Sequence, residues 1–445
     1  MRGRYTSSTV SVQPAAWFRL DNAALVFPAV AGSRYTTVFR ISATLTRPVE
    51  LDRLSTALTR LARRTPYFQV HLRRGLFWYF FEENSGMQRV MADSRNPCRD
   101  FNIRGAGRFA YRIRAFGSRI ALEVSHILTD GTGAMRFLRS LVAEYLRLGG
   151  CRIDAYDDLL DPDSEPDPEE NEDAFDRYYR REVPGPDAKG RAWRAPSTVD
   201  RHRYFVTTGR VSTTALLALA KSYGVKVTPL LVAMHMEAIE SSMHASGSVT
   251  RPIRVLVPVN MRSFFPSSTM RNFFLYVDPE IDPRVGEWSF DEKVRIVARQ
   301  MELGLDRRQL QRHLVRNIGS ERNPVLRVVP RTVKDWILAY VYRRVNEPRF
   351  SGSLSNLGAV RLPESCGDHV KHLDFMPPPN PVTRTNCGVV TFGDRTSITW
   401  ASVAHDRTIE REFFRLLVSS GVRVELETNY TELWRDACRT VTDAE

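Results

Sequence analysis

The chain has 445 residues, of which 42% are hydrophobic and 10% aromatic, and its formal net charge is +13. This length indicates two domains of about 200 residues each, and the apolar content excludes general disorder. No apolar run reaches the roughly 20 residues of a membrane span, so no membrane-spanning segment is expected.

The positive charge comes from 64 basic residues, only six of them lysine, which are spread along the whole chain. Without a basic stripe this distribution indicates a composition bias, and we expect no nucleic-acid partner. Five cysteines, an odd number without a C-x-x-C pair, fit neither a disulfide framework nor a zinc site. The histidines do not cluster with acids at metal-ligand spacing, so we predict no metal and a reducing, cytoplasmic location.

The first half of the chain mixes helix and strand patterns. Residues 51–66, "LDRLSTALTRLARRTP", are amphipathic and predict a helix that the final proline ends. Residues 109–126, "FAYRIRAFGSRIALEVSH", predict a β-hairpin, because apolar and basic residues alternate before a turn at Gly117–Ser118. Helical spacing then begins at Gly133 and ends at Gly149–Gly150.

A strongly acidic segment separates the two halves. Residues 154–176 contain twelve Asp or Glu residues and three prolines. Repulsion between the carboxylates predicts a solvated connector rather than a packed element, and this connector could lie across a basic face. We therefore place an N-terminal domain over residues 1–151, an acidic, proline-rich linker over 152–200 and a C-terminal domain over 201–445.

The second half also alternates between the two kinds of element. "STTALLALAKSYG" has a Ser/Thr start and a glycine stop, and "TPLLVAMHMEAIE" predicts a helix with Thr228 as N-cap. Alternating apolar residues in "PIRVLVPVNMR" predict a strand, and "SITWASVAH", "REFFRLLVSSG" and "VRVELE" predict strand, helix and strand. The fold class is therefore α/β, in two halves of similar style.

The candidate chemistry lies in residues 123–138, "EVSHILTDGTGAMRFL". His126 shares the parity of the apolar residues of its strand, and a neutral imidazole suits proton abstraction from a hydroxyl or thiol near pH 7. Asp130 could fix the backbone of a tight turn or pair with an arginine, and Gly131 and Gly133 allow positive φ and close backbone approach. A strand-end histidine is also common in cores, and Asp-Gly is a common turn dipeptide, so the motif alone leaves both roles open.

The pattern H-x-x-x-D-G at a strand-to-helix corner resembles the chloramphenicol-acetyltransferase-like superfamily, which includes CoA-dependent acyltransferases and peptide-synthetase condensation domains. The closest likeness is to its alcohol acetyltransferase branch. Five blocks, in family order over about residues 15–428, carry it: "WFRLDNAALVFP", "RRTPYFQVHLRRGLFWYFFEEN", "SHILTDGTGAMRFL", "VPVNMRSFF…MRNFF" and "GSLSNLGAVRLPE".

The resemblance implies two related domains, each a mixed β-sheet with flanking helices, in a V-shaped pair with a central tunnel. Acyl-CoA, expected to be acetyl-CoA, would enter from one face and a small-molecule alcohol from the other. His126 would be the general base that deprotonates the acceptor hydroxyl for attack on the thioester carbonyl. Asp130, followed by Gly131, would be structural and would orient the loop through an arginine.

Further site candidates follow from the same resemblance. Arg262 is nominated as the partner of Asp130, although nearby arginines compete and a surface position fits Arg262 equally. Ser355 and Asn356 are candidates for stabilising the oxyanion, with a plain turn as the alternative. Asn272 is a candidate tunnel residue or a local cap. Several aromatic residues could line an apolar tunnel, although most are expected in the core: Trp17, Phe77, Trp78, Phe264, Phe265, Phe273 and Phe274.

The chain departs from the family pattern in two places. Ser125 stands where many condensation domains carry a first histidine, and residues 374–386 lack the D-F-G-W-G block of related plant enzymes. We predict a monomeric, acyl-CoA-dependent O-acyltransferase that transfers an acetyl group to an alcohol. An inactive binding protein of the same fold, or an N-acyltransferase or condensation-type enzyme, are the alternatives.

Overall fold

The computed structural model describes residues 17–31, 36–153, 156–180, 183, 189–199, 203–247, 249–321, 328–342, 347–381 and 383–429. The strands in these ranges are β1 Trp17–Arg19, β2 Val38–Leu45, β3 Val70–Arg74, β4 Tyr79–Glu83, β5 Val90–Ala92, β6 Tyr111–Phe116, β7 Arg119–Ser125, β8 Phe205–Ser212, β9 Ile253–Asn260, β10 Phe274–Val277, β11 Glu280–Ile281, β12 Gly352–Val360, β13 Val370–Met376, β14 Thr385–Phe392, β15 Arg395–Ser402 and β16 Glu425–Thr428. The helices are α1 Phe27–Val30, α2 Leu51–Arg64, α3 Gly131–Leu148, α4 Ala174–Arg177, α5 Thr213–Ser222, α6 Val227–Ala245, α7 Phe290–Gly304, α8 Arg307–Glu321, α9 Arg331–Val341, α10 Glu364–Gly367 and α11 Thr408–Ser419.

The first large sheet has the strand order β13-β2-β7-β6-β5. Strands β6 and β7 form the predicted hairpin, and Gly117 takes a φ of +57° in its turn. Helices α2 and α3 bury their apolar faces in the core of this half, as the i, i+3, i+4 spacing requires. The sheet holds β7 so that the next residue, His126, donates its backbone N–H to the Thr37 carbonyl at 2.9 Å.

The second large sheet has the order β10-β9-β12-β14-β15-β8-β16, and β11 pairs with β9. Strand β12 runs parallel to both β9 and β14, whereas the other pairs are antiparallel, so the sheet is mixed. A second core contains the fully buried side chains of Trp400 and Phe413 together with most of α6. A smaller sheet of β1, β4 and β3 belongs to the first half.

One strand crosses between the two halves. Strand β13 belongs to the second half of the sequence, but it pairs antiparallel with β2, and Phe375 stands opposite Ile41. The range 201–445 that was predicted as the C-terminal domain therefore supplies an edge strand to the N-terminal sheet. The two halves of the chain are consequently linked by the backbone hydrogen bonds of β13 with β2 as well as by the acidic segment.

Most elements lie where the sequence predicts them, and two helix starts differ. Helix α3 begins at Gly131 rather than Gly133, because the Asp130 side chain caps it by accepting from the Gly133 N–H at 2.9 Å. Thr228 was wrongly predicted as the N-cap of α6, whose N-cap is Lys226. The Thr228 hydroxyl instead accepts a hydrogen bond from the Asn356 amide at 3.0 Å.

The acidic segment is packed where it is described, and the prediction of a solvated connector was wrong for residues 156–180. Leu160 and Phe175 are fully buried. The buried carboxylate of Glu170 accepts from both terminal nitrogens of Arg64, at 2.7 and 2.9 Å. Arginines of α2 and α3 pair with further acids in this segment, as in the contact of Arg139 with Asp158 at 2.6 Å. The segment therefore lies on a basic face, which neutralises its charge.

Four cysteines in the described residues are free, and Cys438 lies outside them. Among the described helices, no single one has the length and apolar composition to cross a membrane. Helices α5 and α6 would satisfy these criteria only together, as a pair bent by 80°.

Candidate active site

Asp130 fixes the loop between β7 and α3. One carboxylate oxygen accepts the Gly133 N–H that caps α3, and the other accepts from Arg262 Nη1 and from the Phe273 N–H, both at 2.8 Å. Arg262 is the arginine that the sequence nominated. Since Asp130 is only 2% exposed and the two donors follow β9 and precede β10, this carboxylate attaches the loop of the first half to the second half.

Arg262 is itself held in place by several acceptors. Its guanidinium donates to the Thr269 carbonyl at 3.0 Å and to the Asn260 side chain at 3.2 Å, and its side chain is 12% exposed. The competing arginines have other partners: Arg254 pairs with Glu280, and Arg271 donates to the Arg19 carbonyl. Arg262 is therefore not the free surface arginine that the sequence left as an alternative.

The two glycines of the loop are needed for close packing and not for an unusual backbone conformation. Neither Gly131 nor Gly133 has a positive φ, so that part of the sequence prediction was wrong. A Cβ on Gly133 would overlap the Met270 carbonyl oxygen, and one on Gly131 would lie 2.7 Å from Cδ2 of Leu357. Gly133 thus allows the chain of the second half to approach the first turn of α3.

His126 is half-buried at the end of β7, among three aromatic rings. Its ring stacks on Phe27 at 5.4 Å and lies 4.4 Å from Phe39 and 5.7 Å from Phe274, measured between ring centroids. The Nδ1 atom is buried and has no hydrogen-bond partner within the described chain. Burial lowers the pKa of His126 to about 4, although the Asp130 carboxylate and Asn272 act in the opposite direction. The imidazole is therefore neutral at pH 7.

Asn272 lies directly behind His126. Its amide Nδ2 donates to the backbone carbonyl of His126 at 2.9 Å and to Oδ2 of Asp21 at 3.0 Å. Both Asn272 and Asp21 are buried. Asp21 was not among the predicted site residues, although it belongs to the block "WFRLDNAALVFP". An acid placed directly before an apolar run was the only signal for it in the sequence.

The two oxyanion candidates lie in β12 and differ in what their side chains do. Ser355 is half-buried and stands opposite Gly388 of β14. The Asn356 side chain accepts from the Gly358 N–H at 2.8 Å and donates to Thr228, and Gly358 has a φ of +76°. Asn356 therefore takes part in a local turn, as the alternative interpretation of this position expected.

Five of the seven candidate tunnel aromatics fall into three groups. Phe274 contacts the His126 ring. Phe265 and Phe273 are fully buried in the second core. Trp17 and Phe77 are exposed. Most of these residues therefore do not line the surroundings of His126.

A cavity of about 620 Å³ lies between α3 and the end of β12. Thr132 and Leu357 line it next to the His126–Gly131 loop. Three arginines also line it, namely Arg136, Arg139 and Arg361. Both halves of the chain and the acidic segment contribute to its wall, so a ligand there would touch the loop from the side of α3.

No family model matches the chain, and no curated protein matches it. Solved structures do. TRI101 from F. graminearum, in complex with coenzyme A and deoxynivalenol, has a TM-score of 0.63 at 12% identity, over 89% of this chain and 97% of that chain. The trichothecene 15-O-acetyltransferase TRI3 from Fusarium sporotrichioides has a TM-score of 0.59 at 11% identity, over 93% of this chain and 96% of that chain.

A nonribosomal peptide synthetase, FmoA3, matches with a TM-score of 0.60 at 14% identity. The match covers 92% of this chain but only 42% of that longer protein. Together these similarities confirm the predicted fold class, with mixed sheets and flanking helices.

Proposed function

We propose that this chain, which has the fold of the chloramphenicol-acetyltransferase-like acyltransferases, transfers an acyl group from acyl-CoA to an alcohol, with His126 as general base. The observation that carries the proposal is the state of His126. It is neutral, partly accessible and positioned on a loop that Asp130 attaches to the opposite half of the protein. An acetyl group is the first acyl group to test.

In the proposed reaction the imidazole takes the proton of the acceptor hydroxyl while the hydroxyl oxygen attacks the thioester carbonyl. The tetrahedral intermediate then collapses, and the imidazolium returns the proton to the departing CoA thiolate. The products are an ester and CoA thiol. Since both oxygens of Asp130 are occupied by Gly133, Phe273 and Arg262, Asp130 acts by positioning the loop.

We assign the thioester donor to the cavity beside the loop. Its volume of about 620 Å³ is in the range of ligand pockets, and it reaches the loop at Thr132 and Leu357. Guanidinium groups bind phosphate through paired N–H donors, and Arg361 in its wall suits a phosphate of CoA, whereas Arg139 is already paired with Asp158. With the Asn356 side chain occupied in its turn, Ser355 is the remaining oxyanion candidate in β12.

A second candidate function is acyl transfer to an amine, which the similarity to a nonribosomal peptide synthetase favours. The two candidates use the same base and differ in the nucleophile. Acceptor competition therefore separates them.

The test is a screen of the purified chain with acyl-CoAs of several lengths against panels of alcohols and amines, with released thiol and product mass as readouts. We expect ester formation that is lost in His126→Ala, while circular dichroism shows an intact fold. Transfer to no acceptor, or unchanged ester formation in His126→Ala, would overturn the proposal. A preference for amines would favour the second candidate.

A further inference from the structure

We propose that Asp21 and Asn272 select the tautomer of His126, so that Nδ1 carries the proton and Nε2 keeps the lone pair. In this relay Asp21 orients the Asn272 amide, and the amide oxygen accepts a hydrogen bond from Nδ1–H. The inference rests on the proposed function, because it names the base atom of His126. Asp21 and Asn272 are positioning residues, since they act on the reaction only through His126.

The orientation of the Asn272 amide follows from its neighbours. Its NH₂ group has two hydrogens, and both face oxygen acceptors: the His126 carbonyl at 2.9 Å and the Asp21 carboxylate at 3.0 Å. Turning the amide over would point its oxygen at these two acceptors. The amide oxygen Oδ1 is therefore fixed on the other side of the side chain.

Two buried polar atoms between Asn272 and His126 remain to be paired. Oδ1 of Asn272 and Nδ1 of His126 are both buried, and neither has a hydrogen-bond partner among the described residues. Buried polar groups are nearly always paired, and here one atom is an acceptor and the other can be a donor. The Asn272 side chain and, to a smaller extent, the Thr129 backbone act on the ring as acceptors that raise the pKa of His126. A mutual hydrogen bond satisfies both atoms.

Asp21 is suited to holding the amide. It is 1% exposed, its Oδ1 accepts from the Ala24 N–H at 2.8 Å, and its Oδ2 accepts from both nitrogens of Asn272. An ionised carboxylate can only accept, so it imposes one orientation on the amide. Burial raises the pKa of Asp21 to about 6, with the Arg271 guanidinium acting against this rise, and the three N–H donors that face its oxygens favour the ionised form.

The consequence for catalysis is geometric. A neutral imidazole has one N–H and one lone pair, and Nδ1 is the buried nitrogen. If the proton were on Nε2, the lone pair would be on Nδ1, facing the Asn272 oxygen, and the accessible edge could not accept a proton. The relay places the lone pair where a hydroxyl can reach it.

The experiment is ¹⁵N–¹H long-range correlation NMR on the full chain with labelled histidine, with His126→Gln used to assign the signal. We expect the wild-type protein at pH 7 to show the Nδ1–H tautomer of His126. In folded Asn272→Ala we expect a mixture of tautomers and a lower kcat with little change in KM. Asp21→Asn keeps an acceptor oxygen, so its kcat should fall less than that of Asp21→Leu.

The wild-type spectrum needs no variant, so the test stands even if a variant fails to fold. An Nε2–H tautomer in the wild-type protein, or an unchanged tautomer in folded Asn272→Ala, would overturn the relay. Acyl transfer together with Nε2–H would leave the proposed function standing without the relay. The Nδ1–H tautomer in a protein that transfers no acyl group would leave the relay standing without the proposed function.

Discussion

Each half of the molecule contains a histidine whose pKa burial lowers well below 7, and the two histidines differ in their surroundings. Burial lowers the pKa of His126 to about 4 and that of His235, in α6, to about 3. His235 is fully buried against Trp400, and neither of its ring nitrogens has a partner in the described residues. His126 keeps an accessible part and lies on a loop that Asp130 holds. A lowered pKa therefore reports burial, and access and anchoring separate a candidate base from a core residue.

The largest expected effect is a loss of turnover on replacement of His126 but not of His235. Replacing a general base costs about 10²–10⁴-fold in rate, so His126→Gln should lose that much of kcat with a melting temperature near that of the wild type. His235→Leu should keep its turnover, because the ring touches no reacting group. Thiol release and calorimetry measure these effects, and the exposed His244→Ala is the matched control. Loss of turnover in folded His235→Leu would reverse the assignment.

The second prediction concerns Asp130, which anchors the loop of His126 and has no counterpart at His235 in the described part of the chain. Asp130→Ala removes a buried acceptor from Arg262 and from two backbone N–H groups, and should cost about 3–5 kcal/mol in the free energy of unfolding. Urea unfolding measures this loss, and a double-mutant cycle with Arg262→Met isolates the pair. The exposed pair of Asp282 and Arg284 is the control and should contribute at most about 1 kcal/mol. Equal costs at the two sites would contradict the anchoring role.

The third prediction tests how tightly the two halves meet beside His126. Gly133→Ala places a methyl group against the Met270 backbone, which cannot move aside easily, and should cost about 1–3 kcal/mol. Gly131→Ala meets the end of the Leu357 side chain, which can rotate, so its cost should be smaller. The melting temperatures of the two variants compare them directly. A larger fall in melting temperature for Gly131→Ala than for Gly133→Ala would show that the closer contact between the two halves is at Gly131.

The fourth prediction uses pH to compare the two histidines. The base must be neutral, so protonation of His126 should lower kcat/KM as the pH drops towards its pKa of about 4. For His235 the folded pKa lies below the unfolded value of about 6.5, so its stability contribution is full above pH 6.5 and is lost as the pH falls towards 3.

By pH 5 that loss amounts to roughly 2 kcal/mol at His235. His235→Leu should remove it and flatten the fall of unfolding free energy between pH 7 and pH 5, as measured by urea titration. An unchanged slope in this variant would show that His235 is not buried as a neutral group.

The sequence predicted those features that depend on residues close together in the chain. Strand alternation and the Gly117–Ser118 turn predicted the hairpin, and with it the position of His126 at the end of β7. The contact of Asp21 with Asn272 joins residues 251 positions apart, and no local pattern indicates it. The acidic segment was misjudged because its composition does not show the arginines of α2 and α3 that neutralise it.

Because β13 of the second half completes the sheet of the first half, the two halves cannot fold as separate units. A fragment that ends in the acidic segment would have β2 as an unpaired edge, which invites aggregation, and its complement would carry a strand with no sheet to join. We expect the two fragments to be insoluble alone and to reassemble when they are produced together. The intact chain should then melt in one transition, because neither sheet can be lost while the other remains complete.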